Sequence, residues 1–184
     1  MQRIEALKPE TTSGKSKELF DGIQAKLGMV PNMMRTMGNS PAVLSAYLNF
    51  SGDLGTSSLG AKLAELIALT VANANGCEYC NAAHTFIGGN LVGIDSQTLE
   101  AAKEGRSADP KTEAALSFTQ KLVNKKGRVS STDIAEVKNA GYTDAAVTEI
   151  IAHTALNIFT NYFNNAIKVE VDFPESRLIS SEAA

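Results

Sequence analysis

The chain has 184 residues, 43% of them hydrophobic and 20% charged, with a formal net charge of −3. This balance fits one globular domain with a proper core, and without a block of like charges it argues against nucleic-acid binding or a membrane-surface face. Two cysteines three residues apart do not make a secreted disulfide scaffold, and residues 1–10 hold no apolar run of signal-peptide length, so a cytoplasmic protein is expected.

Helix signals dominate the chain. Ser13 to Leu27 places Leu19, Phe20, Ile23 and Leu27 on one face and stops at Gly28. Pro31 starts a short helix through Met37. Ser40–Pro41 supplies a cap and a first-turn proline for a helix that fades over residues 52–55. Ser58 opens a helix from Leu59 to Ala74, with Leu63, Leu66, Ile67, Thr70 and Val71 at helical spacing. The run Leu63 to Ala72 is too short to span a bilayer. Gly76 interrupts, and a new helix runs from about Cys77 to Leu91.

In the second half, Asp95 or Ser96 caps a short helix to Glu104, and Asp109–Pro110 starts one that ends at Gly127. Ser131 or Thr132 caps a helix through Ala140, closed by Gly141, and Thr143 caps a long apolar helix through about Ile167. Val129 and residues 169–173 are weak strand candidates and nothing more. The expectation is a single all-α domain over residues 1–184, without a linker and with mobile ends at about 1–10 and 175–184.

Two segments resemble each other. Glu65 to Asn81 reads ELIALTVANANGCEYCN and Glu149 to Asn165 reads EIIAHTALNIFTNYFNN. In register, at an offset of 84 residues, Cys77 and Cys80 fall on Asn161 and Asn164, and Tyr79 falls on Phe163. A duplicated helical hairpin with one active and one silent copy would produce this pattern; so would chance similarity between two apolar helices.

The chemistry concentrates in Glu65, Cys77, Tyr79, Cys80 and His84. On a helix, positions 77, 80 and 84 share a face. Both thiols would then sit in the first turn, where free backbone N–H groups and the positive dipole end favour a thiolate. His84, one turn past Cys80, can hydrogen-bond its sulfur or pass a proton. Glu65 faces the thiols if the chain folds back at Gly76, and a carboxylate buried beside sulfur can act as a base. Two inert buried thiols and a solvated Glu65 are the alternatives.

Glu65, eleven intervening residues, then Cys77-x-x-Cys80-x-x-x-His84 resembles the redox motif of the alkylhydroperoxidase D (AhpD)-like family, within the carboxymuconolactone decarboxylase superfamily. The stretch from Ala155 to Ala166, followed by Val171-Asp172-Phe173-Pro174, resembles the peroxidase-related branch of that family. The resemblance covers most of the chain. It implies an all-α fold and a homo-oligomer, trimeric or hexameric. It also implies thiol-dependent reduction of a hydroperoxide with a disulfide forming between the two cysteines. Cys80 inherits the role of the peroxidatic thiol, Cys77 that of the resolving thiol that meets the reductant, and His84 and Glu65 the proton relay, with Glu65 as general base. The implied reductant is an external dithiol, with a lipoyl-bearing protein as the family's precedent. No cofactor or metal is implied. Tyr79 stands where the best-studied members carry a His; it cannot act as a base near neutral pH, so the relay is expected to differ there.

Other readings compete. Cys77, Cys80, His84 and Glu65 are acceptable zinc ligands, although a structural zinc site usually draws a second pair from a distant segment. A decarboxylase of the same superfamily needs no cysteine pair and would want a convergent cationic set, for which Arg35, Arg106 and Arg128 are candidates. A non-enzymatic redox sensor would use the same disulfide without turnover. His153, among Ile150, Ile151, Ala155 and Leu156, reads as a core or interface histidine. Met29, Met33 and Met34 read as core filler.

Overall fold

The computed structural model describes residues 1–179. Among these residues every regular element is a helix: α1 (Gly14–Leu27), α2 (Asn32–Met37), α3 (Pro41–Leu54), α4 (Gly60–Ala74), α5 (Glu78–Asn90), α6 (Ser96–Lys103), α7 (Pro110–Asn124), α8 (Ser131–Asn139) and α9 (Asp144–Ile167). None is long and apolar enough to cross a membrane.

Helix α4 is the centre of the molecule. Residues 66–72 are all buried, so this helix is enclosed on every side. It packs against α5, α6, α7 and α9. One hydrophobic cluster joins Leu69 of α4 to Phe118 of α7 and Ile150 of α9. A second gathers Phe20, Met37 and Leu44 around Cys77 and Cys80. The cysteines therefore sit in packed core.

Local chemistry sets the helix ends. Asp95 Oδ1 accepts from Thr98 N at 2.9 Å, Asp109 Oδ2 from Thr112 N at 2.8 Å and Thr143 Oγ1 from Ala146 N at 3.1 Å. For α8 the cap is Ser130, not Ser131 or Thr132. Asp133, three residues on, returns a bond to the Ser130 N–H and completes a capping box.

The two weak strand candidates pair with nothing. Lys168 takes a left-handed conformation, φ 55°, and ends α9. The chain then runs as an extended strap across α5. Asn81 Nδ2 donates to the Ser176 carbonyl at 2.8 Å, and Ile179 N donates to Asn73 Oδ1 at 2.9 Å. The N-terminal residues, expected to be loose, are also hydrogen-bonded: Arg3 N donates to Ile167 O at 2.8 Å and Leu7 N to Arg35 O at 3.3 Å. The remainder of the C-terminal end expected to be mobile, residues 180–184, lies outside the described residues.

The second hairpin, one of the two readings of that similarity, is absent. Glu149 to Asn165 lies on one unbroken helix, α9. The two backbones part at Gly76. Gly76 adopts φ 59°, a left-handed conformation that suits glycine, whereas Thr160 at the matching position is helical. Around Gly76, Cys77 N donates to Ala72 O at 2.9 Å and Gly76 N to Asn73 O at 3.1 Å. This bond pair is a Schellman motif. It stops α4 and turns the chain so that Cys77 begins α5. No atom lies within 4 Å of a Cβ placed on Gly76, so the requirement for glycine is conformational and not steric. We expect Gly76→Ala to lower stability by about 1 kcal/mol and Gly76→Asn by less, because Asn tolerates this conformation; urea unfolding of the two variants checks both.

Candidate active site

Cys77 is the N-cap of α5, and its Sγ accepts from Cys80 N at 3.3 Å. Cys80 lies in the first turn, where the unpaired N–H groups of a helix start point. Its side chain faces α9, and Asn164 Nδ2 donates to its Sγ at 3.1 Å. The same amide lies 3.3 Å from Met33 Sδ, and Thr160 Oγ1 lies 4.0 Å from Cys80 Sγ. Asn161, one residue past Thr160, accepts from Asn75 Nδ2 at 3.0 Å. Asn161 Nδ2 and Asn164 Oδ1 are buried without a protein partner. The asparagines that align with the two cysteines are thus part of the site.

His84, one turn beyond Cys80, holds its Nδ1 2.8 Å from Glu65 Oε2. Glu65 comes from the middle of α4 and reaches His84 because the turn at Gly76 lays α5 back along α4. The carboxylate therefore faces the imidazole and not the thiols. It orients the ring and stabilises its cation, one step removed from sulfur.

The two thiols are strongly differentiated. Burial opposes ionisation of Cys80. The hydrogen bond from the Cys77 thiol, the charge of His84 and the Asn164 amide outweigh it, and the Cys80 pKa falls to about 6. Cys77, by contrast, is pushed far up by its hydrogen bond to Cys80 and by burial. For His84, burial works downward, but the charge and hydrogen bond of Glu65, with the Cys80 charge, raise its pKa above 6.5. The arrangement favours a thiolate–imidazolium pair at neutral pH, with Cys77 as the proton-bearing neighbour.

Tyr79 points elsewhere. Its hydroxyl donates to Asp172 Oδ1 at 2.8 Å and accepts from Met33 N at 3.2 Å. Its ring meets Phe173 edge-on, with centroids 5.7 Å apart. Burial raises its pKa. Tyr79 ties the C-terminal strap to α2 and takes no visible part in a proton relay.

Cys80, His84 and Glu65 open onto a cavity of about 350 Å³. Its wall is mostly apolar and includes Met34, Leu54, Ile87, Leu156 and Phe173. Met29 and Met33 line it too; Met33 belongs to the core, as expected, and Met34 packs against it, and all three also form part of the cavity wall. Tyr47 joins them, with a phenol pushed up to about 12 by burial and by the Cys80 charge. Cys77 is not part of the lining and has no exposed surface. Cys77, to which the resemblance gives the meeting with the reductant, is therefore the thiol that lies off the cavity. As the helix cap it turns inward, whereas Cys80 faces the cavity.

The three arginines do not converge. Arg35 donates to the Leu7 carbonyl at 2.8 Å and to Asn32 Oδ1 at 2.9 Å, Arg106 pairs with Glu104, and Arg128 is exposed. Among the described residues, no three His, Cys, Asp or Glu side chains are grouped closely enough to hold a metal ion. Cys77, Cys80, His84 and Glu65 thus do not form the ligand set that the zinc reading needs.

Residues 41–88, which carry Glu65, Cys77, Cys80 and His84, match the model of the carboxymuconolactone decarboxylase family. A peroxidase-related protein from Silicibacter sp. TM1040 superposes with a TM-score of 0.81 at 25% identity, covering 92% of this chain and 91% of its own. The chain has an AhpD-like all-α fold, and its segment 41–88 is similar to the carboxymuconolactone decarboxylase family. The fold of this AhpD-like chain is also that of a peroxidase-related protein from Ralstonia eutropha JMP134, described as an alkylhydroperoxidase AhpD core (TM-score 0.84, 22% identity, 93% and 92% covered). It is likewise that of a variant of the debrominase Bmp8 in complex with 2,3,4-tribromopyrrole (TM-score 0.77, 22% identity, 92% and 91% covered). Among curated proteins none matches the chain by sequence.

The site generates a pH prediction for this AhpD-like chain. The Cys80 thiolate forms as pH rises through about 6, so alkylation by iodoacetamide should rise through that pH to a plateau, with Cys80 modified well ahead of Cys77. Removing the Asn164 donor or the His84 cation leaves the burial penalty less opposed. Asn164→Leu and His84→Gln should therefore move the midpoint upward and slow alkylation near pH 6.5 by roughly tenfold. Rate-versus-pH profiles, with mass-spectrometric assignment of the labelled cysteine, measure both effects.

Proposed function

We propose that the protein is a thiol-dependent peroxidase that reduces organic hydroperoxides through a Cys80–Cys77 dithiol/disulfide cycle. The observation that carries this reading is the Cys80 sulfur, held by Asn164, backed by the His84–Glu65 pair and presented to an apolar cavity. The Cys80 thiolate attacks the terminal oxygen of R–O–O–H. The O–O bond breaks, sulfur takes the OH group and becomes a sulfenic acid, and the departing alkoxide takes a proton from the His84 imidazolium to leave as R–OH. Cys77 then attacks the Cys80 sulfur; the hydroxyl leaves with the Cys77 proton as water, and the disulfide closes. An external dithiol, a lipoyl group by the family's precedent, returns two electrons and two protons. Entering through the cavity, it meets Cys80 first.

The decarboxylase reading fits less well, because among the described residues no Lys or Arg lines the cavity to receive a carboxylate. A second redox reading draws support from the fold shared with a debrominase. A thiolate can take bromine from carbon while the carbon takes a proton, and Cys77 then expels bromide as the disulfide forms. The two readings share both thiols and differ in product, an alcohol or a bromide ion. A redox sensor would form the disulfide once, without turnover.

We also propose a homo-oligomer, a trimer or hexamer. Val43 and Phe50 on α3 and Ile151, Phe159 and Tyr162 on α9 are exposed, and a second copy would cover this apolar surface. Light scattering at micromolar concentration should give a multiple of 19.5 kDa; a monomer mass would refute it.

Cys80→Ser should abolish hydroperoxide consumption. Cys77→Ser should react once and leave a sulfenic acid on Cys80 that a dimedone trap captures. The native protein treated with peroxide and no reductant should lose two hydrogens across the Cys77–Cys80 peptide. Stopped-flow consumption with mass spectrometry reads all three. Two free thiols after peroxide treatment would sink the peroxidase reading, and a sulfenic acid found on Cys77 instead would reverse the roles of the two cysteines.

A further inference from the structure

The cavity wall is built from helices and the turns between them, with one exception. Among the described residues, Phe173 alone of the lining lies beyond the end of α9, on the extended strap. Its ring meets Tyr79 edge-on at 5.7 Å and lies 6.0 Å, centroid to centroid, from Phe86. Tyr79 and Phe86 also line the cavity, and both belong to α5, which carries Cys80 and His84. Phe173 therefore stands beside the reacting groups. It is partly exposed, so no further layer of chain fully covers the wall it makes.

What holds Phe173 differs from what holds the rest of the wall. Helical residues are fixed by the repeating backbone bonds of their helix. Among the described residues, no backbone–backbone hydrogen bond fixes residues 171–178. Side chains pin the strap on either side of Phe173 instead. Ahead of it, Asp172 uses both carboxylate oxygens, accepting from the Tyr79 hydroxyl at 2.8 Å and from Asn32 N at 2.7 Å. Behind it, Lys103 Nζ donates to Ser176 Oγ at 3.0 Å and to the Arg177 carbonyl at 3.1 Å. Lys103 is buried, and a buried ammonium needs such acceptors, which ties the strap to α6.

We infer that Phe173 is a specificity-determining wall that sets the size limit for molecules reaching Cys80, and that Asp172 is the positioning residue that holds it there. The cavity volume of about 350 Å³ lies at the small end of the range for small-molecule sites. With the ring in place the cavity takes compact, mainly apolar molecules of roughly one aromatic ring in bulk. Fused or multiple rings are shut out, because forcing extra atoms against a packed wall is unfavourable. The size limit belongs to the path to Cys80; that the admitted molecules are hydroperoxides rests on the function proposed above.

Electrophiles of graded bulk read this limit without any peroxide. N-methylmaleimide and N-(1-pyrenyl)maleimide share a reacting group and differ in size. The quantity measured is the ratio of their rate constants at Cys80 of the reduced protein, pyrenyl over methyl, divided by the same ratio for free N-acetylcysteine, with mass spectrometry identifying the labelled residue. Changes in thiolate fraction cancel in this ratio. The native protein should give about 0.1 or less, and Phe173→Ala should raise the value roughly tenfold, with Phe173→Leu in between. Asp172→Ala, which keeps the ring and removes its anchor, should also raise the ratio, and Asp172→Asn, which keeps one acceptor oxygen, should raise it less. A native ratio near that of the free thiol, labelling of Cys77 ahead of Cys80, or no change in either Phe173 variant would overturn the inference; an unchanged ratio in Asp172→Ala would overturn the part given to the anchor. Size discrimination in a protein that consumes neither tert-butyl nor cumene hydroperoxide would remove the peroxidase reading and leave the size limit; consumption without discrimination would do the reverse.

Discussion

A thiolate placed almost wholly inside a protein survives only if hydrogen bonds and a nearby cation replace the water it has lost. In this fold that replacement centres on the Asn164 amide, 3.1 Å from Cys80 Sγ. Hydrogen bonds to charged groups contribute about 1.5–3 kcal/mol each, enough, with His84 and the Cys77 thiol, to offset the burial of one sulfur. The constraint reaches outward. Asn164 must come from a helix that passes directly over the start of α5, so α9 has to continue unbroken past residue 160 while α4 has to stop at residue 74. At Gly76, with φ 59°, the chain leaves the path that α9 continues through Thr160.

The same geometry separates the two cysteines. Cys77 serves as helix cap, with its sulfur turned toward the backbone of α5, and it lies off the cavity. Cys80, one turn later, faces the cavity with the imidazole behind it. Glu65 acts on sulfur only through His84. In the reaction we propose, the proton passes along one line, from the imidazole that the carboxylate orients to the reacting oxygen, with no contribution from Tyr79. That side chain is committed to the C-terminal strap, where Asp172 also accepts from Asn32 N at 2.7 Å. A tyrosine in the family's histidine position thus carries a structural duty here.

Much of this was legible in the sequence because it depends on local chemistry. Asp95, Asp109 and Thr143 each cap the helix they were expected to cap, Gly28 and Gly76 mark real ends, and the spacing of Glu65 and His84 brings those two side chains within 2.8 Å of each other. What escaped the sequence is tertiary. Asn161 and Asn164 were visible as the partners of the cysteines in the two similar segments, but that register suggests a silent second copy, and only packing shows that α9 lays those amides against the first. The inward turn of Cys77 follows from its capping bond and not from its position at a helix edge. The extended strap after Lys168 has no periodicity to betray it. It is held by isolated contacts such as Lys103 Nζ to the Ser176 hydroxyl, 3.0 Å.

The central claim is that the reduced protein carries one thiolate and one thiol, with the thiolate on Cys80. Infrared spectroscopy of the S–H stretch in the fully reduced protein at neutral pH reads this without any substrate. The account predicts a single S–H band that belongs to Cys77 and disappears in Cys77→Ser. Two S–H bands in the native protein, or a band that persists in Cys77→Ser and vanishes in Cys80→Ser, would contradict it.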